Sequence, residues 1–127
     1  MVVLVKKKLF LFVFVTLTLA LPQVSPQDDP ATRTPDRVVN IVAERFAFSP
    51  SKITVKKGEL VEFVIVSDDT DHGFNLVAAG IDAAIPQQGK GELRLRFLAG
   101  VSGRFGFECS RACGAGHNLM RGFVVVE

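Results

Sequence analysis

Gly103 to Glu127 reads GRFGFECSRACGAGHNLMRGFVVVE, and both ends of this stretch have the pattern of paired strands. Phe105, Phe107 and Cys109 share one parity while Arg104 and Glu108 take the other, which turns one side of a strand to a core and the other to water. Gly122 to Val126 is rich in valine and closes the domain as a last strand. Cys109 therefore points with the core phenylalanines, and a thiol is delivered at a strand end into a protected pocket. The residues between form one loop joining two packed strands.

Upstream, the same periodicity recurs. Gly91 to Phe97 alternates cleanly, with Leu93, Leu95 and Phe97 on one face and Glu92, Arg94 and Arg96 on the other. Leu60 to Val66 is almost continuously apolar and β-branched, as a central strand would be. Lys52 to Val55 places Ile53 and Val55 on one face, and Lys56-Lys57-Gly58-Glu59 is a turn with glycine where φ > 0 is needed. Val38 to Ala43 is a further short strand, Phe46 to Pro50 reads as a bend, and Ala78 to Pro86 as a turn of helix or an excursion between strands. Short strands with turn signals and no long helical period predict an all-β, Greek-key β-sandwich in one domain, residues 37–127.

The loop carries the chemistry. Cys109, Cys113, His117 and Met120 supply thiolate, imidazole and thioether donors, which favour copper over magnesium, calcium or manganese. Cys113-x3-His117-x2-Met120 makes a mononuclear copper ligand set once a second imidazole arrives, and His72 is the one other histidine in the chain. Cys109 adds a second thiolate. Two thiolates on one loop can bridge two coppers, each with one terminal histidine, with Met120 weakly axial to one and the Arg111 backbone carbonyl to the other. Gly114, Ala115 and Gly116 let the backbone fold closely over metal. One copper ion or two both remain open here, as does a carrier that binds Cu(I) for delivery.

Plainer readings compete with these. Two cysteines in an exported chain are often a disulfide, but a Cys-x3-Cys bridge closes a very short loop and stabilises little by chain entropy. Zinc is disfavoured because methionine is not among its usual ligands. By itself His72 is a surface histidine in a loop after Ser67-Asp68-Asp69-Thr70-Asp71, and Met120 is core filler. Asp68, Asp69 and Asp71 either steer a basic partner or simply solvate a turn.

Phe105 to Glu127 resembles the dinuclear CuA loop and last strand of cytochrome c oxidase subunit II, a loop shared with the C-terminal domain of nitrous oxide reductase. DHGFNLVAAGIDAAIP, around His72, is similar to the segment that carries the first histidine in that family. The resemblance runs from Val38 to Glu127. It implies a cupredoxin fold, a mixed-valence copper pair and one-electron transfer from a cytochrome c-type donor. Arg111 stands where the family usually has a glutamate whose side chain reaches a magnesium site shared with the haem-copper catalytic subunit. A carbonyl survives that change and the magnesium contact does not. The chain also has no Trp for the aromatic cluster the oxidase subunit usually places beside its copper, and no pair of apolar N-terminal segments.

Lys6, Lys7 and Lys8 precede an uncharged run from Leu9 to Leu21, the pattern of a secretory signal or signal anchor over residues 1–21 and shorter than the roughly 20 residues that span a bilayer. Residues 22–36, rich in Pro, Thr and Asp, read as a flexible linker. An exported, periplasmic domain follows, with membrane attachment through the N-terminus as an option. Without the first twenty residues the formal charge falls from +2 to −1, so the basicity belongs to the targeting segment. No basic patch with interleaved aromatics points to nucleic acid. No Ser/His/Asp or paired-carboxylate constellation points to a hydrolase; whether the chain takes part in catalysis is open, either as no enzyme by itself or as the electron-entry subunit of a cytochrome c oxidase-like complex.

Overall fold

The computed structural model describes residues 29–127, which form two packed β-sheets. The first sheet has the order β2 (Ala47–Ser49), β1 (Arg37–Glu44), β4 (Leu60–Ser67), β7 (Leu93–Leu98). The second runs β3 (Lys52–Val55), β9 (Arg121–Val126), β8 (Gly103–Glu108), β5 (His72–Leu76), β6 (Ile81–Ile85). β1 lies parallel to β4 and β3 parallel to β9, while the remaining pairs are antiparallel. The all-β cupredoxin-like sandwich expected from the alternation is the fold observed.

Alternation positions the core. Ile53 and Val55, Phe97, Phe107, and Val124 with Val126 are buried while their strand neighbours face out. β4 is buried along most of its length, as an internal strand between two neighbours should be. Phe63, Phe74 and Phe107 are fully buried, and burial of each contributes about 1.5–3 kcal/mol. Phe74 packs tilted on Phe107 with centroids 5.0 Å apart and edge-on to Phe48 at 5.9 Å. Both are arrangements that the aromatic quadrupole favours.

Two segments differ from the sequence reading. Phe46 to Pro50 is more than a bend: residues 47–49 pair with residues 42–44 of β1, and Phe48 fills the core. Around Ala78 to Pro86 the expected turn of helix is present as one 3₁₀ turn, Val77–Ala79, but it is followed by a full strand, β6, paired with β5 from His72↔Ile85 to Leu76↔Ile81. β6 shows too little apolar alternation to announce itself, and its place comes from pairing with β5.

Residues 29–36 lie against the first sheet. Arg96 donates to the carbonyls of Pro30, Ala31 and Arg33, and Asp36 exchanges hydrogen bonds with the Leu60 backbone. The proposed signal or anchor, residues 1–21, and the first part of the linker lie outside the described residues. At the other end of the sandwich, the 68–71 loop carries the chain from β4 to β5 and so from one sheet to the other. Asp68 N–H donates to Ala43 O and Arg45 N–H to Asp69 Oδ2, which seals that end.

Candidate metal centre

The loop from β8 to β9 begins and ends on strands in register, Glu108 opposite Arg121. Cys109 N–H donates to Met120 O at 3.0 Å and closes its neck. His117–Leu119 is a 3₁₀ turn that brings the imidazole and the thioether back over the cysteines. Glycines make this path possible. Gly114 has φ 141°, and a Cβ on either Gly114 or Gly116 would strike the ring of Phe46. Arg45 Nε donates to Cys113 O at 2.8 Å, so the Arg45-Phe46 pair holds the loop from outside.

The donors gather as two linked halves. Cys109 Sγ lies 3.8 Å from Cys113 Sγ, and both thiols are free and buried. On one side, Cys109 Sγ is 3.9 Å from His72 Nδ1 and 3.1 Å from the Arg111 carbonyl. On the other, Cys113 Sγ is 3.7 Å from His117 Nδ1 and 3.9 Å from Met120 Sδ. His72 and Met120 are fully buried, and His117 is half-buried at the surface of the loop. His72, Cys109 and Cys113 bring their ligand atoms within 4.8 Å of one another.

His72 corrects the sequence reading. It is the first residue of β5 with no exposed surface, where the sequence indicated a surface loop. Its burial is made tolerable by Asp69, whose Oδ1 lies 2.7 Å from His72 Nε2. Asp69 in turn accepts N–H bonds from Arg45 and Thr70. Burial pushes its carboxyl up, but the bonds from His72, Arg45 and Thr70 outweigh this and hold it below the usual carboxylate range. Asp69 is thus turned inward. Asp68 accepts from Gln88, and Asp71 accepts from the Thr70 hydroxyl.

Two features around Cys109 and Cys113 were not legible from the sequence. Gly73 N–H donates to Cys109 Sγ at 3.4 Å, and a Cβ at Gly73 would collide with Ser110, whose hydroxyl is tied to Asp82 at 2.6 Å. Burial pushes the Cys113 thiol up to about 11, helped by the hydrogen bond and charge of Cys109 beside it. For Asp69 a signal existed, a carboxylate three residues before a histidine. For Gly73, Arg45 and Phe46 there was none.

The residues present fit copper. Two thiols sit unbonded and close enough to share metal, imidazole nitrogens face them from both sides, and the remaining donors are a thioether and one carbonyl. A hard cation would require oxygens that are not there. A cleft of about 100 Å³, bordered by His117, Met120 and Arg121, opens beside the donors.

Comparison with known proteins agrees with this geometry. The family model for the cupredoxin-like domain matches residues 9–126. Cytochrome c oxidase subunit 2 of Thermus thermophilus is 30% identical over 110 residues, covering 83% of this chain and 80% of the relative. The periplasmic domain of subunit II of cytochrome oxidase from Bradyrhizobium japonicum superposes with a TM-score of 0.67 at 16% identity, over 74% of this chain and 86% of that one. Auracyanin A, a blue copper protein of Chloroflexus aurantiacus, gives a TM-score of 0.57 at 16% identity, over 71% and 98%. The chain belongs to the cupredoxin-like family, as a relative of cytochrome c oxidase subunit 2.

Proposed function

We propose that this protein is an exported electron carrier with a dinuclear, CuA-type copper centre. The observation that carries the reading is the pair of free cysteine sulfurs 3.8 Å apart, each with its own imidazole on the outer side. Cys109, Cys113, His72 and His117 would hold the copper. The Arg111 carbonyl and Met120 would contribute weaker donors on either side. Such a copper pair supplies a site that accepts and releases one electron at a time.

The chain's own residues keep that exchange cheap in reorganisation. Asp69 fixes the His72 ring, Gly73 N–H orients the Cys109 sulfur, and Arg45 with Phe46 braces the loop. Ligands held this firmly move little between oxidation states. Phe74 and Phe107 exclude water from beneath the site.

The donor in this reading is a cytochrome c-type protein and the acceptor a haem-copper oxidase catalytic subunit, with the domain on the outer face of the membrane. The resemblance to oxidase subunit 2 supports that placement. Arg111 brings no carboxylate to a shared magnesium site, so the contact with such a subunit differs from the usual one. The test is copper analysis with paramagnetic resonance of the loaded protein. About two coppers per chain and hyperfine structure shared by two equivalent nuclei are expected. One copper with ordinary four-line structure would assign a mononuclear centre, and ready loss to a Cu(I) chelator with no stable oxidised state would assign a carrier.

A further inference from the structure

Among the described residues, the outer face of the second sheet carries three cations and two carboxylates, Glu108 opposite Arg121 and Asp82, which is tied to the Ser110 hydroxyl. Directly opposed residues share a face. Lys52 opposes Phe123, Phe123 opposes Gly106, and Arg121 opposes Glu108, all turned away from the buried Ile53, Phe107 and Val124. Arg104 lies on the same face, its guanidinium fixed 3.6 Å above the centroid of the Phe123 ring. Lys52, Arg104 and Arg121 are exposed, and none of them joins an ion pair among the described residues.

Gly106 makes this face concave. Without a side chain between Arg104 and Glu108, it floors a groove of about 390 Å³ bordered by Arg104, Arg121 and Phe123. A second hollow of about 240 Å³ shares Gly106 and Arg121 with the first and extends to Glu108. The cleft beside His117 and Met120 shares Glu108 and Arg121 with the second. Arg121 borders all three and Glu108 the two nearer the donors, so a groove with its cationic end at Arg104 and Arg121 runs from the middle of the sheet to the donor atoms.

We infer that this groove is the docking surface for a one-electron partner that presents an acidic, carboxylate-bearing patch. The inference rests on the electron-transfer reading and adds the charge of the partner to it. Unpaired cations steer an anionic surface toward the groove, and its far end brings that surface to the half-buried His117. Phe123 lies beneath Arg104, and Val77 is the single exposed large aliphatic side chain among the described residues bordering the groove, so the face suits a protein patch better than a lipid surface. The aspartates of the 68–71 loop, which would instead attract a basic partner, are engaged by His72, Gln88 and Thr70.

The test uses the copper-loaded, reduced protein and two small oxidants, each of which takes one electron from the centre. Hexacyanoferrate(III) is anionic and becomes hexacyanoferrate(II); tris(phenanthroline)cobalt(III) is cationic and becomes the cobalt(II) complex. With hexacyanoferrate(III) the rate falls as salt is added. Charge reversal by K52E with R104E, which leaves the loop untouched, slows that reaction on the order of tenfold at low salt and flattens its salt dependence. The cobalt reaction is not slowed. R121E behaves like the pair where it leaves the optical spectrum of the centre unchanged.

An unchanged hexacyanoferrate(III) rate in the K52E/R104E protein overturns the inference, and so does slowing of the cobalt reaction alone. Loss of binding to phosphatidylglycerol vesicles with both rates unchanged overturns it in favour of a membrane surface. Failure of the parent reading is distinct: the unmutated protein then binds no copper, or reduces neither oxidant.

Discussion

Asp69 Oδ1 stands 2.7 Å from Nε2 of His72, on the side of the ring opposite the nitrogen that faces Cys109. The carboxylate fixes the tautomer, leaving Nδ1 free to bind metal, and makes the imidazole a stronger donor. Asp69→Asn is therefore expected to weaken copper binding about 10–100-fold and to raise the reduction potential, because the more positive oxidised state loses a nearby negative charge. Competition with a Cu(I) chelator and protein-film voltammetry measure the two effects. Equal values for variant and parent would leave Asp69 with only a folding role.

Gly73 tests the packing of the loop on β5. Alanine there would put a methyl group into Ser110 and 2.9 Å from its backbone nitrogen. Gly73→Ala is expected to destabilise the apo domain by about 1–3 kcal/mol and to disturb the optical spectrum of the loaded centre by moving Cys109. Chemical denaturation and absorption spectroscopy report on the two separately.

The Cys113 thiol, pushed up to about 11 from 9.0 by burial first and by Cys109 second, gives the apo protein a defined alkaline behaviour. The folded state disfavours the thiolate while the unfolded chain ionises freely. Stability is therefore unaffected below pH 9.0, falls as pH rises above it, and stops falling near pH 11. Cys113→Ser removes this part of the pH dependence in denaturation measured at stepped pH. Copper binding at neutral pH displaces the Cys113 thiol proton, which calorimetry in buffers of different ionisation enthalpy counts.

Phe46 fills the space left by Gly114 and Gly116. Phe46→Ala removes that support without touching any donor atom. Faster amide exchange over residues 114–119 is expected, with little change in β4 or β7, and slower recovery of the loaded spectrum after copper is added to the apo protein. Unchanged exchange in the loop would show that the Arg45 bond to Cys113 O suffices alone.

The strands with long alternating patterns were legible because one face of each is buried and the other is not. β7 and β8 show this directly, β9 was read from its run of valines, and with them came Cys109 and the loop. His72 was found as the one other imidazole, yet its burial was hidden. Five residues of β5 flanked by a polar loop do not state which sheet will cover them, and the tertiary pairing with β6 and β8 decides it. β2 is three residues long, too short for a period to register. Arg45, Phe46 and Gly73 act through contacts across the fold, at sequence separations over which one-dimensional patterns carry no information.

Five of the six proposed ligands travel in one segment of twelve residues, Cys109 to Met120, whose ends are tied together by the Cys109 N–H bond to Met120 O. The number of ions held is thus set by one short segment. A deletion or insertion there is expected to change how many ions are held and, because Cys109, Cys113 and Met120 are also core residues, to be felt in the packing of the sandwich end beneath them.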